Sequence, residues 1–173
     1  MIYLFTGNGK GKTTSALGQS LRVIGQGGKV AFLQFIKSHK FPSGEDEATK
    51  IFKNKFLLIK GGKGFVGIMD DKLPFKAHKL VAQKLLKKAE IIIKSRKYNL
   101  VVLDEINVAI SLKLISLTQV KALLASIPEH TDIILTGRYA PKGLVSLADL
   151  VTEFCEIKHP YNQGIQGKRL KEY

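Results

Sequence analysis

Ile2-Tyr3-Leu4-Phe5-Thr6-Gly7-Asn8-Gly9-Lys10-Gly11-Lys12-Thr13-Thr14 decides how this chain reads. A short, mostly apolar strand runs into a glycine-rich turn, the turn ends in Gly-Lys-Thr-Thr, and a helical pattern follows at once. Glycines let the backbone curl so that successive N–H groups point at one anion. The lysine adds a mobile positive charge, and the threonine hydroxyl can reach Mg²⁺. This is the P-loop, or Walker A, arrangement. Its usual spacing is G-x-x-x-x-G-K-[ST]. Counted back from Gly11, the first-glycine place is held by Thr6, and Gly7 comes one step later, so the spacing is shortened. A glycine-rich β-turn with a chance Lys-Thr behind it is the bland alternative; the order strand, loop, helix argues against it.

Outward from the loop, Leu17, Leu21 and Ile24 recur at helical spacing, which predicts a helix over 12–24 that ends at Gly25-Gln26-Gly27-Gly28. Residues 29–36 read as a second strand. Strand, loop, helix and strand make a βαβ unit with a right-handed crossover. Gln34 and Lys37 stand at the carboxyl end of that strand, where open α/β sheets bind ligands. The residues alone leave two readings: both face a ligand, or they are a strand-end amide and a surface lysine.

Farther on, Glu45–Asn54 suggests a short helix and Phe56–Ile59 a third strand. Gly61-Gly62-Lys63-Gly64-Phe65-Val66-Gly67 reads as a loop or lid, with Phe65 either in the core or against a flat ligand. Residues 75–96 carry the longest helical pattern. Val81, Leu85, Ala89 and Ile92 form its apolar stripe, and Lys84, Lys87, Lys88 and Lys94 its solvated face. Leu100-Val101-Val102-Leu103-Asp104-Glu105 has the Walker B form. An acid at the tip of a buried strand next to the P-loop strand can hold Mg²⁺ directly or through water. Thr13 joins Asp104 and Glu105 as a candidate metal ligand; sequence does not say which acid makes the contact. Ser116 and Gln119 fit a capping box, stapled by Ile115 and Val120, for a helix that stops before Pro128. Thr131–Thr136 predicts a fifth strand, and Arg138, after Gly137, is placed to reach a phosphate. A short helix over 141–148 and a sixth strand over 149–157 follow. Cys155 lies inside that strand and reads as a small core residue. The tail from Lys158 has no clear period and either folds over a site or is flexible.

The totals bound the class. A chain of 173 residues, 45% hydrophobic and 24% charged, predicts one globular domain over 1–173. No apolar run is long enough to span a bilayer, and no leader pattern precedes the first strand. A lone cysteine excludes an internal disulfide and a cysteine-based zinc site. These features predict a cytoplasmic protein. The net charge of +14 suits an anionic partner. The scatter of the lysines over the chain favours a solvated surface instead.

Taken together, these stretches resemble the P-loop family of ATP:corrinoid adenosyltransferases. The likeness runs through Gly7–Thr14, Gln34-Phe35-Ile36-Lys37, Gly64-Phe65, Val101–Glu105, Thr136-Gly137-Arg138, Leu147-Ala148-Asp149 and Lys158-His159-Pro160-Tyr161, in the family's order. It implies an α/β, P-loop NTPase-like (RecA-like) fold, with a mostly parallel sheet of about six strands flanked by helices. It implies transfer of the 5′-deoxyadenosyl group of ATP to cobalt(I) of a corrinoid, cobalamin or cobinamide, with triphosphate leaving. ATP would lie reversed relative to ordinary P-loop ATPases, on Gly7, Asn8, Gly9, Lys10, Gly11, Lys12, Thr13, Thr14, Gln34, Lys37 and Arg138. Lys12 and Arg138 would stabilise the leaving triphosphate. Phe65 would form the apolar wall that strips the lower ligand from cobalt(II) and so eases its reduction. The resemblance also implies a flavoprotein reductant and a homodimer.

Two departures stand out. The family's N-terminal extension has no counterpart before the first strand, and the tryptophan expected two residues after Phe65 is replaced by Gly67. Two rival functions fit the P-loop alone. A small kinase or ATPase would release ADP, and a basic nucleotide-dependent nucleic-acid-binding protein would show steeply salt-dependent binding. The chain carries no recognised nucleic-acid module, which counts against the latter.

Overall fold

A computed structural model gives the structure of residues 1–40, 42–64, 66–67, 71–159 and 164. In chain order the elements are β1 (Ile2–Thr6), α1 (Lys12–Gly25), β2 (Val30–Gln34), α2 (Gly44–Phe52), β3 (Phe56–Lys60), α3 (Phe75–Lys94), β4 (Leu100–Asp104), α4 (Ile106–Ser111), α5 (Leu117–Leu124), β5 (Asp132–Thr136), α6 (Lys142–Val145) and β6 (Leu150–Glu153). The strands form one six-stranded sheet in the order β3-β2-β4-β5-β1-β6. Every neighbouring pair in it is parallel.

Alternation along the central strands divides the core into two layers. Leu4, Ala31, Leu33, Val101, Leu103, Ile133 and Leu135 face the side covered by α3 and α5, where Leu85, Ala89, Ile93 and Leu123 meet them. Val30, Phe32, Leu100, Val102 and Ile134 face the opposite side, under Ala16 and Ile24 of α1. Burial on both faces is why these strands read as continuous apolar runs. On α3 the four expected lysines are exposed. The Ser116 cap forms as expected: its Oγ accepts the Gln119 N–H at 3.1 Å, and Gln119 Oε1 accepts the Ser116 N–H at 2.9 Å.

Three expectations are corrected. The Walker B strand β4 is not next to β1, because β5 lies between them. The sixth strand stops at Glu153, and Cys155 is exposed rather than in the core. The reason is register: β6 pairs with β1 only from Leu150 opposite Tyr3 to Glu153 opposite Thr6, where β1 gives way to the P-loop. Past that point the chain bonds the loop, with Phe154 N–H donating to Thr6 O at 2.8 Å and Gly9 N–H to Phe154 O at 2.6 Å. Helix α4 was not anticipated. Its Ile-Asn-Val-Ala-Ile-Ser run has poor helix propensity, and burial of Ile106, Asn107 and Ala109 fixes it instead.

Candidate active site

The P-loop, the ends of β2, β4 and β5 and the first turn of α2 surround a cavity of about 580 Å³. Asn8, Gly9, Lys10, Gly11, Lys12, Thr13 and Thr14 make one wall; Lys37, Gly44 and Glu45 stand on another; Glu105, Arg138 and His159 also line it. Gly7 takes φ 97°, and a Cβ there would stand 2.4 Å from the Phe154 carbonyl oxygen. Only glycine fits where the chain after β6 presses on the loop. Lys12 is buried, and its Nζ donates to Gly7 O at 2.7 Å and Gly9 O at 2.6 Å. Burial lowers the Lys12 ammonium from its ordinary value; Glu105 opposes that shift and Arg138 adds to it.

Behind the cavity wall, Asp104 is wholly buried. Its Oδ1 accepts the Thr13 hydroxyl at 2.8 Å and the Thr136 hydroxyl at 2.7 Å, and its Oδ2 accepts Gln34 Nε2 at 3.1 Å. The interposed strand β5 supplies Thr136, so one carboxylate ties three strand ends to the P-loop threonine. Burial raises the Asp104 carboxyl, against the pull of Lys37 and these three hydrogen bonds. Glu105 has a left-handed backbone, φ 61°, at the N-terminus of α4. That conformation costs a non-glycine residue about 1–3 kcal/mol, and its N–H donates to Thr136 Oγ1 at 2.9 Å. The strained turn places Glu105 at the cavity while Asp104 stays behind it. The Glu105 carboxyl is pushed up to about 7, first by burial and then by Asp104, with Lys12, Lys37 and Arg138 pulling it down.

The strand-end residues resolve differently. Gln34 is buried and serves Asp104, with its Oε1 lacking a hydrogen-bond partner. Lys37 reaches the cavity and donates to Glu45 Oε1 at 2.8 Å. The glycine-rich loop runs beside them: Gly61 N–H donates to Gln34 O at 3.0 Å, Gly62 N–H to Lys37 O at 3.1 Å and Gly64 N–H to Ile36 O at 3.0 Å. A Cβ on Gly62 would lie 2.0 Å from Ile36 O, so this close run demands glycine. At its far end, Asp71 accepts the Gly67 N–H at 2.9 Å, and His78 Nε2 approaches Asp71 Oδ2 at 2.9 Å without hydrogen-bond alignment. Phe65 lies outside the described residues. Sequence reasoning missed Glu45. The signal was present in Ser43-Gly44-Glu45-Asp46, a capping-box pattern that fixes the start of α2 and so aims its first turn.

A phosphate cradle at a helix N-terminus, its threonine hydrogen-bonded to a buried acid from another strand, defines a P-loop nucleotide-binding protein of the α/β class. The fold agrees: the flagellar accessory protein FlaH from Methanocaldococcus jannaschii superposes with a TM-score of 0.58 at 12% identity, over 88% of this chain and 69% of that one. The model of the family ATP:corrinoid adenosyltransferase BtuR/CobO/CobP matches residues 1–173, and the chain belongs to that family. Similar proteins include a corrinoid adenosyltransferase of a Sinorhizobium species, 34% identical over all of this chain and 80% of its own length. The Pseudomonas aeruginosa corrinoid adenosyltransferase is 32% identical over all of this chain and 83% of its own. Corrinoid adenosyltransferase CobA of Salmonella typhimurium is 30% identical over all of this chain and 85% of its own.

Proposed function

We propose that this protein transfers the 5′-deoxyadenosyl group of ATP to the cobalt(I) of a corrinoid and releases triphosphate. The observation that carries the reading is the full-length family match on a chain whose shortened P-loop opens onto the cavity. In the reaction the cobalt(I) electron pair forms a bond to C5′, the C5′–O bond breaks, and its pair leaves with the triphosphate. No proton moves, so no general base is required. The protein must hold the triphosphate still and offset charge growing on its α-phosphate end. The loop amides, Lys12 and Arg138 are the groups for this task, and Lys37 is assigned to holding the bound nucleotide. Gly9 N–H is committed to Phe154, so the cradle draws on the others.

The donor set fits Mg²⁺, which takes few carboxylates and completes its shell with phosphate oxygens and water. We assign the Thr13 hydroxyl and Glu105 to the ion. Asp104 orients Thr13 from behind, because both its oxygens already accept hydrogen bonds. Bound there, Mg²⁺ would neutralise triphosphate charge. Phe65 we assign to the apolar wall against the corrinoid, by likeness to the family. The proposal extends to a cytoplasmic location, a flavoprotein electron donor and a homodimer. Among the described residues no helix is long and apolar enough to cross a membrane. The test is incubation with ATP, Mg²⁺ and chemically reduced cobalamin, followed by absorbance. The cobalt(I) spectrum should give way to that of the light-sensitive alkylcobalamin only with ATP present. An unchanged spectrum with folded wild-type protein overturns the reading.

A further inference from the structure

Helix α2 is a wall of the nucleotide cavity whose hold on the core is at its far end, where Phe52 packs against Phe56 of β3. None of its residues is buried. Yet its first turn carries Gly44 and Glu45 to the cavity. What secures that turn is polar. Lys60, the last residue of edge strand β3, has a side chain 0% exposed. Its Nζ donates to Asp46 Oδ2 at 2.5 Å and to Ser43 Oγ at 3.2 Å. The same Asp46 oxygen accepts the Ser43 N–H at 2.7 Å and closes the helix cap. A buried ammonium is costly unless paired, so the ion pair locks the two elements together.

The consequence reaches the cavity one residue away. Glu45 keeps its side chain 11% exposed and holds Lys37 Nζ at 2.8 Å. Its Oε1 also lies 3.4 Å from Gln34 Nε2, which serves Asp104. We propose that the ion pair of buried Lys60 with half-buried Asp46 is a positioning pair for nucleotide binding: it sets the first turn of α2 so that Glu45 holds Lys37 at the cavity. Lys60 itself does not line the cavity. It acts through Asp46, then Glu45, then Lys37. The inference rests on the nucleotide reading of that cavity.

The test is ATP binding by calorimetry, paired with steady-state kinetics, on the full chain. Lys60→Met removes the ammonium and keeps most of the apolar stem. It should raise the ATP Kd and KM by about tenfold, while kcat at saturating ATP changes less than about twofold. Asp46→Asn, which keeps the shape of the cap and drops its charge, should give the same split and is the second variant if Lys60→Met folds poorly. Glu45→Gln should also raise Kd. Adding Lys60→Met to it should cost less than the product of the two single effects, because both work through one contact. Wild-type affinity in both Lys60→Met and Asp46→Asn overturns the proposal, as do multiplying effects in the double variant. A wild-type protein that binds no ATP would instead overturn the nucleotide reading itself.

Discussion

Both carboxylate oxygens of Asp104 accept bonds from Thr13, Thr136 and Gln34, and the acid is wholly buried. Gln34 Oε1, next to it, has no partner. Asp104→Asn is therefore expected to leave stability within about 1 kcal/mol of wild type, since Gln34 can turn its amide and accept from the new NH₂. Asp104→Ala strands three donors and should cost about 2–4 kcal/mol. Urea unfolding of the two variants checks the contrast; equal losses would contradict it. Lys12→Ala should weaken ATP binding by about a hundredfold, the loss of one or two charge-assisted hydrogen bonds to phosphate. Calorimetry reads it, and retained affinity would remove Lys12 from the cradle. Phe65→Ala should slow adenosylation of cobalt(II) corrinoid under a weak reductant and leave the ATP Kd unchanged; wild-type rates in that assay would withdraw the apolar-wall role. At this scale the sequence named residues that the structure brings to one cavity, but not that Asp104 stands behind its wall while Glu105 lines it. That division comes from the left-handed turn at Glu105, a backbone conformation that an Asp-Glu pair does not announce.

Helix α2 is held by charge at its first turn and by Phe52 against Phe56 at its last. Burial raises the Asp46 carboxyl, but its hydrogen bonds to Lys60 and Ser43 outweigh that and leave it below its ordinary value. A carboxyl lowered in the folded state stabilises it fully above the unfolded value, and that stability is lost as pH falls through the folded value. The first turn of α2 should thus loosen only below about pH 4. The Ser43 amide signal, whose N–H bonds Asp46, should shift there when followed by NMR down to pH 2, and should lose most of that shift in Asp46→Asn. An unchanged wild-type spectrum through that range would sever the link. Periodicity read α1, α3 and the central strands to within a few residues, because each buries a regular face. It could not read the end of β6, which depends on where β1 stops and the P-loop begins. Nor could it read α4, which tertiary burial imposes on a β-branched run.

The molecule as a whole is a parallel sheet whose carboxyl edge gathers the P-loop, Glu105, Lys37 and Arg138 around one cavity, with Asp104 behind its wall. The order of strands was beyond the sequence. Nothing in Leu100–Glu105 or Thr131–Arg138 tells that β5 slips between the two Walker strands, yet that insertion gives Asp104 its Thr136 partner. The lysine excess reads correctly as far as α3, where Lys84, Lys87, Lys88 and Lys94 are exposed on the solvent face. The central claim is that this cavity sends the whole triphosphate away as a leaving group. Phosphorus NMR or ion chromatography of the products from ATP, Mg²⁺ and cobalt(I) cobalamin tests it most directly. The account predicts inorganic triphosphate in a one-to-one ratio with adenosylated corrinoid. ADP or free phosphate formed regardless of corrinoid would contradict it.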